Sequence, residues 1–149
     1  MSRWVPLLAL AALPWAALAA DGPTLYRQCA ACHLPSGAGV PGTYPPLASA
    51  DFRRQVISPG GRRYLVLVVL KGVIGPLTVD GKQYFSVMPA QSLDDAGVAG
   101  VLNHVARDIA RVGDGFQAFT PEEVAAVRAA DAGLSAQQVA ALHATLGTK

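Results

Sequence analysis

The sequence contains only two cysteines in 149 residues, Cys29 and Cys32, and only two methionines, Met1 and Met88. With so few thiols, a network of disulfides and a zinc site made of four cysteines are both excluded. Charge is also scarce, because 15% of the residues are charged and the formal net charge is +2. A chain so close to neutral lacks the basic surface of a nucleic-acid-binding protein, and we expect no nucleic-acid partner.

The N-terminal apolar run is too short for a usual membrane span. It extends from Trp4 to about Leu18 and contains two prolines, whereas a spanning helix needs about 20 apolar residues. Arg3 precedes the run, and Ala17-Leu18-Ala19 gives the small-x-small pattern that signal peptidase recognises. We therefore predict a signal peptide over residues 1–19 and export to the periplasm, with membrane association only if this segment is not cleaved.

The strongest chemical signal in the chain is Cys29-Ala30-Ala31-Cys32-His33. Residues three and four apart share one face of a helix, so two thiols and one imidazole can point toward the same flat ligand. This spacing is the signature of covalent c-type haem attachment, with His33 binding the iron. A redox dithiol, a structural disulfide and half of a zinc site are the rival interpretations. A redox dithiol should accompany a thioredoxin-like strand–helix unit, and no further cysteine is present to complete a zinc site.

The rest of the chain divides into short helices and loops. The first helix is expected from about Pro23 to His33, followed by an ordered loop over residues 34–47, which contains four prolines and three glycines but also apolar residues. The periodicity of residues 61–73 fits either a buried strand or a short buried helix. Asp80-Gly81 is a strong hairpin-turn signal.

Three further helices are expected in the C-terminal half. Ser92 opens the first, with Asp95 completing a capping-box pattern and apolar residues following at helical spacing. The segments 120–127 and 135–142 repeat each other at an offset of fifteen residues, each with an N-cap residue and a Glu or Gln three positions later. Both are too short to be stable alone, so they must pack on the domain, on each other or on a partner.

The sixth iron ligand can be argued by elimination. Met88 is the only methionine outside the signal segment, so iron bound by His and Met would have to use it. The alternative is that Met88 only fills a gap in the core, as most single methionines do. His104 and His143 are the other candidate ligands, and each is more often a packed or solvated histidine.

Together, these motifs resemble class I, mono-haem cytochrome c. The resemblance is carried by Cys29–His33, by Pro45 twelve residues after His33, and by Lys71–Tyr84 leading to Val87-Met88-Pro89-Ala90. It covers most of residues 22–128, and this pattern is similar to that of small periplasmic carriers or subunits that serve bacterial dehydrogenases, nitrite reductases or oxidases.

The resemblance implies an all-α cytochrome c fold, with three to five helices around one covalently bound haem c. It favours the helix over residues 61–73, and it implies that the carbonyl of Pro45 accepts a hydrogen bond from the second imidazole nitrogen of His33. It also implies that the helix after Ser92 crosses the first helix. At that crossing His104 stands where a tyrosine is usual, and Tyr26 is one position closer to Cys29 than usual, so we expect a Tyr26–His104 contact.

We therefore predict a signal peptide over 1–19, a cytochrome c domain over 20–112 and a C-terminal extension of two short helices over 113–149. The cofactor-binding residues would be Cys29, Cys32, His33, Pro45 and Met88, with His33 and Met88 as iron ligands. The expected function is periplasmic transfer of one electron to or from a dehydrogenase, reductase or oxidase, without catalysis by the protein itself. A haem-based gas sensor with a weak sixth ligand and a haem-free module stapled by Cys29–Cys32 are the alternatives.

The charges are unevenly distributed along this nearly neutral chain. Residues 51–82 hold six basic residues against two acidic ones, and residues 94–149 hold four basic residues against seven acidic ones. Because the basic stretch immediately precedes Met88, it could steer an acidic partner to the haem edge, and Arg62 and Arg63 would then carry that attraction.

Overall fold

The computed structural model describes residues 21–146, and the predicted signal peptide lies outside this range. The described part contains α1 (Gly22–His33), α2 (Ala50–Ile57), α3 (Pro59–Lys71), β1 (Val73–Val79), β2 (Lys82–Met88), α4 (Asp95–His104), a π-helical turn (Val105–Ile109), α5 (Pro121–Ala130) and α6 (Ala136–Leu146). The helices form most of the fold. The expectation of an all-α protein is nevertheless only approximately right, because β1 and β2 form a hairpin.

The hairpin follows from the turn chemistry of Asp80 and Gly81. Both residues have positive φ angles, 47° and 76°, as the tight turn between two antiparallel strands requires. The strands pair from Val79 with Lys82 at the turn to Val73 with Met88 at the open end. The turn signal in the sequence is confirmed, and its consequence is a regular ladder that ends at Met88.

The crossing of α1 and α4 depends on a residue without a side chain. A Cβ on Gly22 would clash with the carbonyl oxygen of Gly100 and lie 2.9 Å from the Cβ of His104, so the backbones approach closely only because Gly22 has none. One turn further along α1, the rings of Tyr26 and His104 meet edge to face with their centroids 5.3 Å apart. The expected Tyr26–His104 contact is confirmed.

Serine caps define α2 and α3. Ser49 Oγ accepts a hydrogen bond from the Phe52 N–H at the start of α2, and Ser58 Oγ accepts one from the Gly61 N–H at the start of α3. Helix α3 confirms the helical interpretation of residues 61–73, with slightly earlier bounds. Helix α2 was not predicted.

The start of α4 differs from the sequence-based expectation. Asp94, rather than Ser92, is the N-cap, and its carboxylate accepts a hydrogen bond of 2.7 Å from the Gly97 N–H. Three residues after Asp94 stands a glycine, so there is no capping box. The Asp94 carboxylate caps this helix more strongly than a serine hydroxyl would, because its negative charge also complements the positive end of the helix dipole.

The two C-terminal helices pack on the domain. Thr120 caps α5, and Ser135 and Gln138 form a reciprocal capping box at the start of α6. Val124 of α5 and Val139 of α6 are fully buried in the same apolar core as α3 and α4. Both predicted helices are therefore confirmed, and they gain their stability from this burial.

Arg62 on α3 fastens the segment before α5. Its guanidinium donates to both carboxylate oxygens of Glu123, at 2.8 and 2.6 Å, and to the carbonyls of Val56 and Gln117. It also lies 3.9 Å from the centroid of the Phe119 ring.

None of the helices in the described part of the chain combines the length and hydropathy of a membrane span.

We expect Gly22→Ala to destabilise the protein by about 1 to 3 kcal/mol, because the added methyl group forces α1 and α4 apart. The measurement is chemical denaturation of the haem-loaded protein. Gly113→Ala is the matched control, since a Cβ there meets nothing within 4 Å. Equal stabilities for the two variants would contradict the close approach at this crossing.

We expect Arg62→Met to lower the free energy of unfolding by about 2 kcal/mol or more, because Glu123 loses a partly buried, two-pronged partner. Arg54→Met is the comparison, because the Arg54 side chain is 66% exposed and its pair with Asp51 lies at the surface. We expect that variant to change stability by no more than about 0.5 kcal/mol. Similar losses from both substitutions would show that Arg62 does not hold the tail.

Candidate functional site

The imidazole of His33 is fixed at the C-terminal end of α1. His33 is 7% exposed, and its Nδ1 lies 2.8 Å from the carbonyl oxygen of Pro45. Because a carbonyl can only accept, Nδ1 carries the proton and Nε2 has a free lone pair. The contact expected between His33 and Pro45 is thus present, and it selects the tautomer that a metal ligand needs.

The loop after α1 is folded so that Pro45 can reach His33. Its backbone is ordered by hydrogen bonds from the Gly39 N–H to the His33 carbonyl and from the Leu47 N–H to the Gly37 carbonyl, of 3.0 and 2.8 Å. Gly39 has a φ of +65°, and a Cβ there would lie 2.8 Å from the Pro45 carbonyl oxygen. The glycines of this loop therefore allow the close approach that carries Pro45 to the imidazole.

The chain leaves α1 through a strained residue. Leu34 has a φ of +64°, a left-handed conformation that a leucine adopts at a cost of about 1 to 3 kcal/mol. The hydroxyl of Tyr26 donates a hydrogen bond of 2.8 Å to the Leu34 carbonyl. This bond holds the sharp turn directly after His33, and burial together with the nearby Cys29 raises the pKa of Tyr26 to about 12, so the donor stays protonated.

A cavity of about 280 Å³ lies beside α1. Cys29, Cys32 and His33 line one part of it, Pro45 belongs to the adjoining wall, and Met88 contributes from the end of β2. The apolar part of the remaining lining comes mainly from α3, α4 and the hairpin. The structure therefore brings together all five of the site residues that the sequence predicted.

Burial shifts the pKa values of His33 and Cys29 in opposite directions. It lowers the pKa of His33, partly offset by the hydrogen bond to the Pro45 carbonyl, and it raises the pKa of Cys29. His33 is accordingly a neutral imidazole at neutral pH, the form that can donate a lone pair to a metal. The two cysteines are not joined to each other.

The residues of the cavity fit a haem and no simpler metal centre. Within residues 21–146, no three His, Cys, Asp or Glu side chains cluster as they would around a bound metal ion. The tautomer-fixed imidazole of His33, two thiols and a thioether around a largely apolar slot instead match a flat, largely apolar iron cofactor that is attached covalently.

Polar residues outside the predicted set of site residues also line the cavity, among them His143, which the sequence offered only as an alternative iron ligand. Gln55 and Tyr64 come from α2 and α3, and His143 comes from α6. Only the N-cap Ser49 and the apolar pair Phe52 and Val56 hint at α2 in the sequence. No local signal indicates that a tail histidine reaches the site, because that placement depends on how α6 packs.

The fold and this site define a protein that carries one covalently attached haem. The family model described as cytochrome c matches residues 19–107. The chain is 44% identical over 148 residues to a cytochrome c-552 of Thermus thermophilus, covering 96% of this chain and 97% of that protein. A second cytochrome c-552 of Thermus thermophilus is 44% identical over 134 residues, covering 87% of this chain and 99% of that protein.

The chain therefore belongs to the cytochrome c family, as a class I, mono-haem member. Membership implies a covalently bound c-type haem with its iron, and haem-based electron transfer to and from redox partners. The first Thermus match covers 96% of the chain and so extends over both C-terminal helices, whereas the family match ends before them.

The stability of the protein should depend on pH through His143, because burial lowers the pKa of this imidazole below its ordinary value of 6.5. The unfolded chain then binds the proton more readily than the folded one, so stability is lost as pH falls through about 6.5. We expect His143→Gln to weaken this dependence. Denaturation of the haem-loaded protein and the variant at pH 8 and pH 5 measures it, and identical losses in both would contradict the assignment.

Proposed function

We propose that the protein is an exported electron carrier whose haem is attached through Cys29 and Cys32 and ligated by His33 and Met88. The single observation that carries this proposal is the convergence of two thiols, a tautomer-fixed imidazole and the methionine on one apolar cavity. When bound, the haem supplies the one-electron redox couple of its iron. The protein itself binds the haem, orients it and shields it from water.

The two thiols supply the covalent attachment. Because Cys29 and Cys32 lie three residues apart on α1, they present their sulfur atoms from one face of the helix, next to the imidazole of His33. Attachment at two points fixes the in-plane orientation of a flat ligand, which one point cannot do. The Pro45 carbonyl then orients the imidazole and increases its basicity.

The hairpin gives Met88 its position. Met88 is the last residue of β2 and pairs with Val73, the first residue of β1, directly after α3. A Cβ on Gly72 would clash with the Met88 carbonyl oxygen, so the chain passes closely behind the methionine. Met88 is half-buried and lines the cavity, as a sixth ligand has to.

The same proposal includes a signal peptide over residues 1–19 and the periplasm as the compartment. It also includes a cytochrome c domain over residues 20–112 and a C-terminal extension over residues 113–149. The partner would be a dehydrogenase, reductase or oxidase that exchanges one electron with the haem. Support for export comes from the leader pattern and from haem attachment through thiols, which must be kept reduced for the purpose.

The basic stretch before Met88 is a poor candidate for the docking site. Arg62 is bound to Glu123, and Arg63 donates to both oxygens of Asp131 at 2.8 and 2.5 Å. Lys71 donates to the carbonyl of Ala132. These cations hold the tail against the domain, so the hypothesis that Arg62 and Arg63 steer an acidic partner is not supported by the geometry.

We expect Cys29→Ala and Cys32→Ala each to yield little mature haem protein, because a haem held at one edge leaves the cavity incompletely filled. Covalent haem is measured by staining after denaturing electrophoresis and by the mass of the purified chain. Gln28→Ala, beside Cys29, is the matched control and should retain full haem content. Normal amounts of covalent haem in the Cys29, Cys32 double variant would contradict the attachment.

We expect Met88→Ala to retain covalent haem but to lose the absorption of the thioether–iron bond, lower the reduction potential and let the reduced protein bind carbon monoxide rapidly. A thioether favours the reduced iron more than nitrogen ligands do, which is why its loss lowers the potential. The visible spectrum and a potentiometric titration measure the effect. An unchanged spectrum would show that Met88 only packs in the core and is not a ligand. Rapid carbon monoxide binding by the unmodified protein would favour the function of a gas sensor.

A further inference from the structure

Two buried polar side chains in the cavity wall are left without a partner. Gln55 is 8% exposed and Tyr64 is 5% exposed, and both line the cavity. In the described part of the chain, neither the Gln55 amide nor the Tyr64 hydroxyl makes a hydrogen bond, and no unpaired polar side-chain atom is sealed from all open space. Their polar atoms therefore keep some accessible surface, and the cavity that both residues line is open space next to them, where a partner would remove the cost of an unpaired buried donor.

The fold brings these two side chains to the same wall. A Cβ on Gly61 would clash with the backbone of Gln55, so the end of α2 and the start of α3 approach closely at this point. Tyr64 lies one turn after Gly61, on the same face of α3. The amide and the hydroxyl consequently come from neighbouring positions on two helices that Gly61 allows to touch.

Helix α6 closes this wall from outside. The ring of His143 lies against the ring of Tyr64, with centroids 5.2 Å apart and planes tilted by 56°. Burial raises the pKa of Tyr64, so its hydroxyl is a donor at all physiological pH values. Asp51 is a carboxylate in the same cavity, but its oxygens already accept from the Asp80 N–H and from Arg54.

We propose that the Gln55 amide and the Tyr64 hydroxyl donate hydrogen bonds to a carboxylate of the haem. This inference rests on the proposed function, because it requires the haem to occupy the cavity. A haem is apolar over most of its surface and carries carboxylates at one edge, so donors that have no partner within the protein are needed in the wall that this edge meets. Gln55 and Tyr64 meet this requirement, and they act as positioning residues rather than as iron ligands.

The reduction potential as a function of pH tests the proposal. A hydrogen bond to an ionised carboxylate lowers the pKa of that carboxylate, and the carboxylate's charge in turn favours the oxidised iron. We expect Tyr64→Phe and Gln55→Met each to move the inflection of the potential–pH curve upward by about one pH unit. Tyr84→Phe is the matched control, because Tyr84 is equally buried but does not line the cavity.

Other titratable groups also face this space and must be separated from the carboxylate. They are Tyr26, Cys29, Cys32, His33, Tyr44, Asp51 and His143. Burial lowers the pKa of His143, and its ring touches that of Tyr64, so the two substitutions are repeated in a His143→Gln background, where the upward shift should persist. A shift that disappears there belongs to His143 and overturns the proposal.

The haem content and the visible spectrum of each variant distinguish this proposal from the proposed function. If the unmodified protein carried no covalent haem, the proposed function itself would be contradicted. Variants with a normal haem content, a normal spectrum and an inflection at the same pH as the unmodified protein would overturn only the role of Gln55 and Tyr64.

Discussion

The hydrogen bond between the His33 imidazole and the Pro45 carbonyl is the constraint on which the site depends. It requires the loop to return to the end of α1 within twelve residues, and the loop does so through Gly39, which lacks the Cβ that would block the approach, and through Leu34, which is held in a left-handed conformation. The Tyr26 hydroxyl stabilises that conformation. The local strain is offset by the single bond that sets the tautomer and the direction of the imidazole lone pair.

Opposite charges along the chain serve the fold more than the surface. The basic residues of α3 are paired with the acidic residues of α5 and the turn after it, and Arg128 of α5 in turn pairs with Asp95 of α4 at 2.7 Å. The most buried of these pairs, Arg62 with Glu123, also stacks on Phe119. The sequence does not reveal which of these charges already face each other, so a charge asymmetry along the chain does not by itself identify an interaction surface.

Features set by neighbouring residues could be predicted, and features set by packing could not. The haem motif, the turn at Asp80-Gly81 and the capped tail helices each depend on a few adjacent residues. Pro45 needed a family resemblance, since its relation to His33 spans the loop, whereas Met88 was reached by elimination as the only methionine outside the predicted signal segment. Gln55 was missed and His143 was considered only as an alternative iron ligand, because a lone glutamine or histidine has no local pattern that indicates its surroundings. Only the contact of α2 with α3 and the packing of α6 bring the two residues to the cavity.

The hairpin explains how a methionine far along the chain is held beside the cavity. Residues between α3 and α4 could have formed an irregular loop, but the ladder from Val79–Lys82 to Val73–Met88 fixes the register of every residue between them. The Asp80 carboxylate accepts hydrogen bonds from the Ala50 and Asp51 N–H groups, so the tip of the hairpin is also tied to the start of α2. A side chain at the end of a ladder anchored at both ends moves less than one on a free loop. For Met88 as the proposed ligand this rigidity matters, because a ligand whose position is independent of the oxidation state leaves little structural rearrangement to accompany the electron.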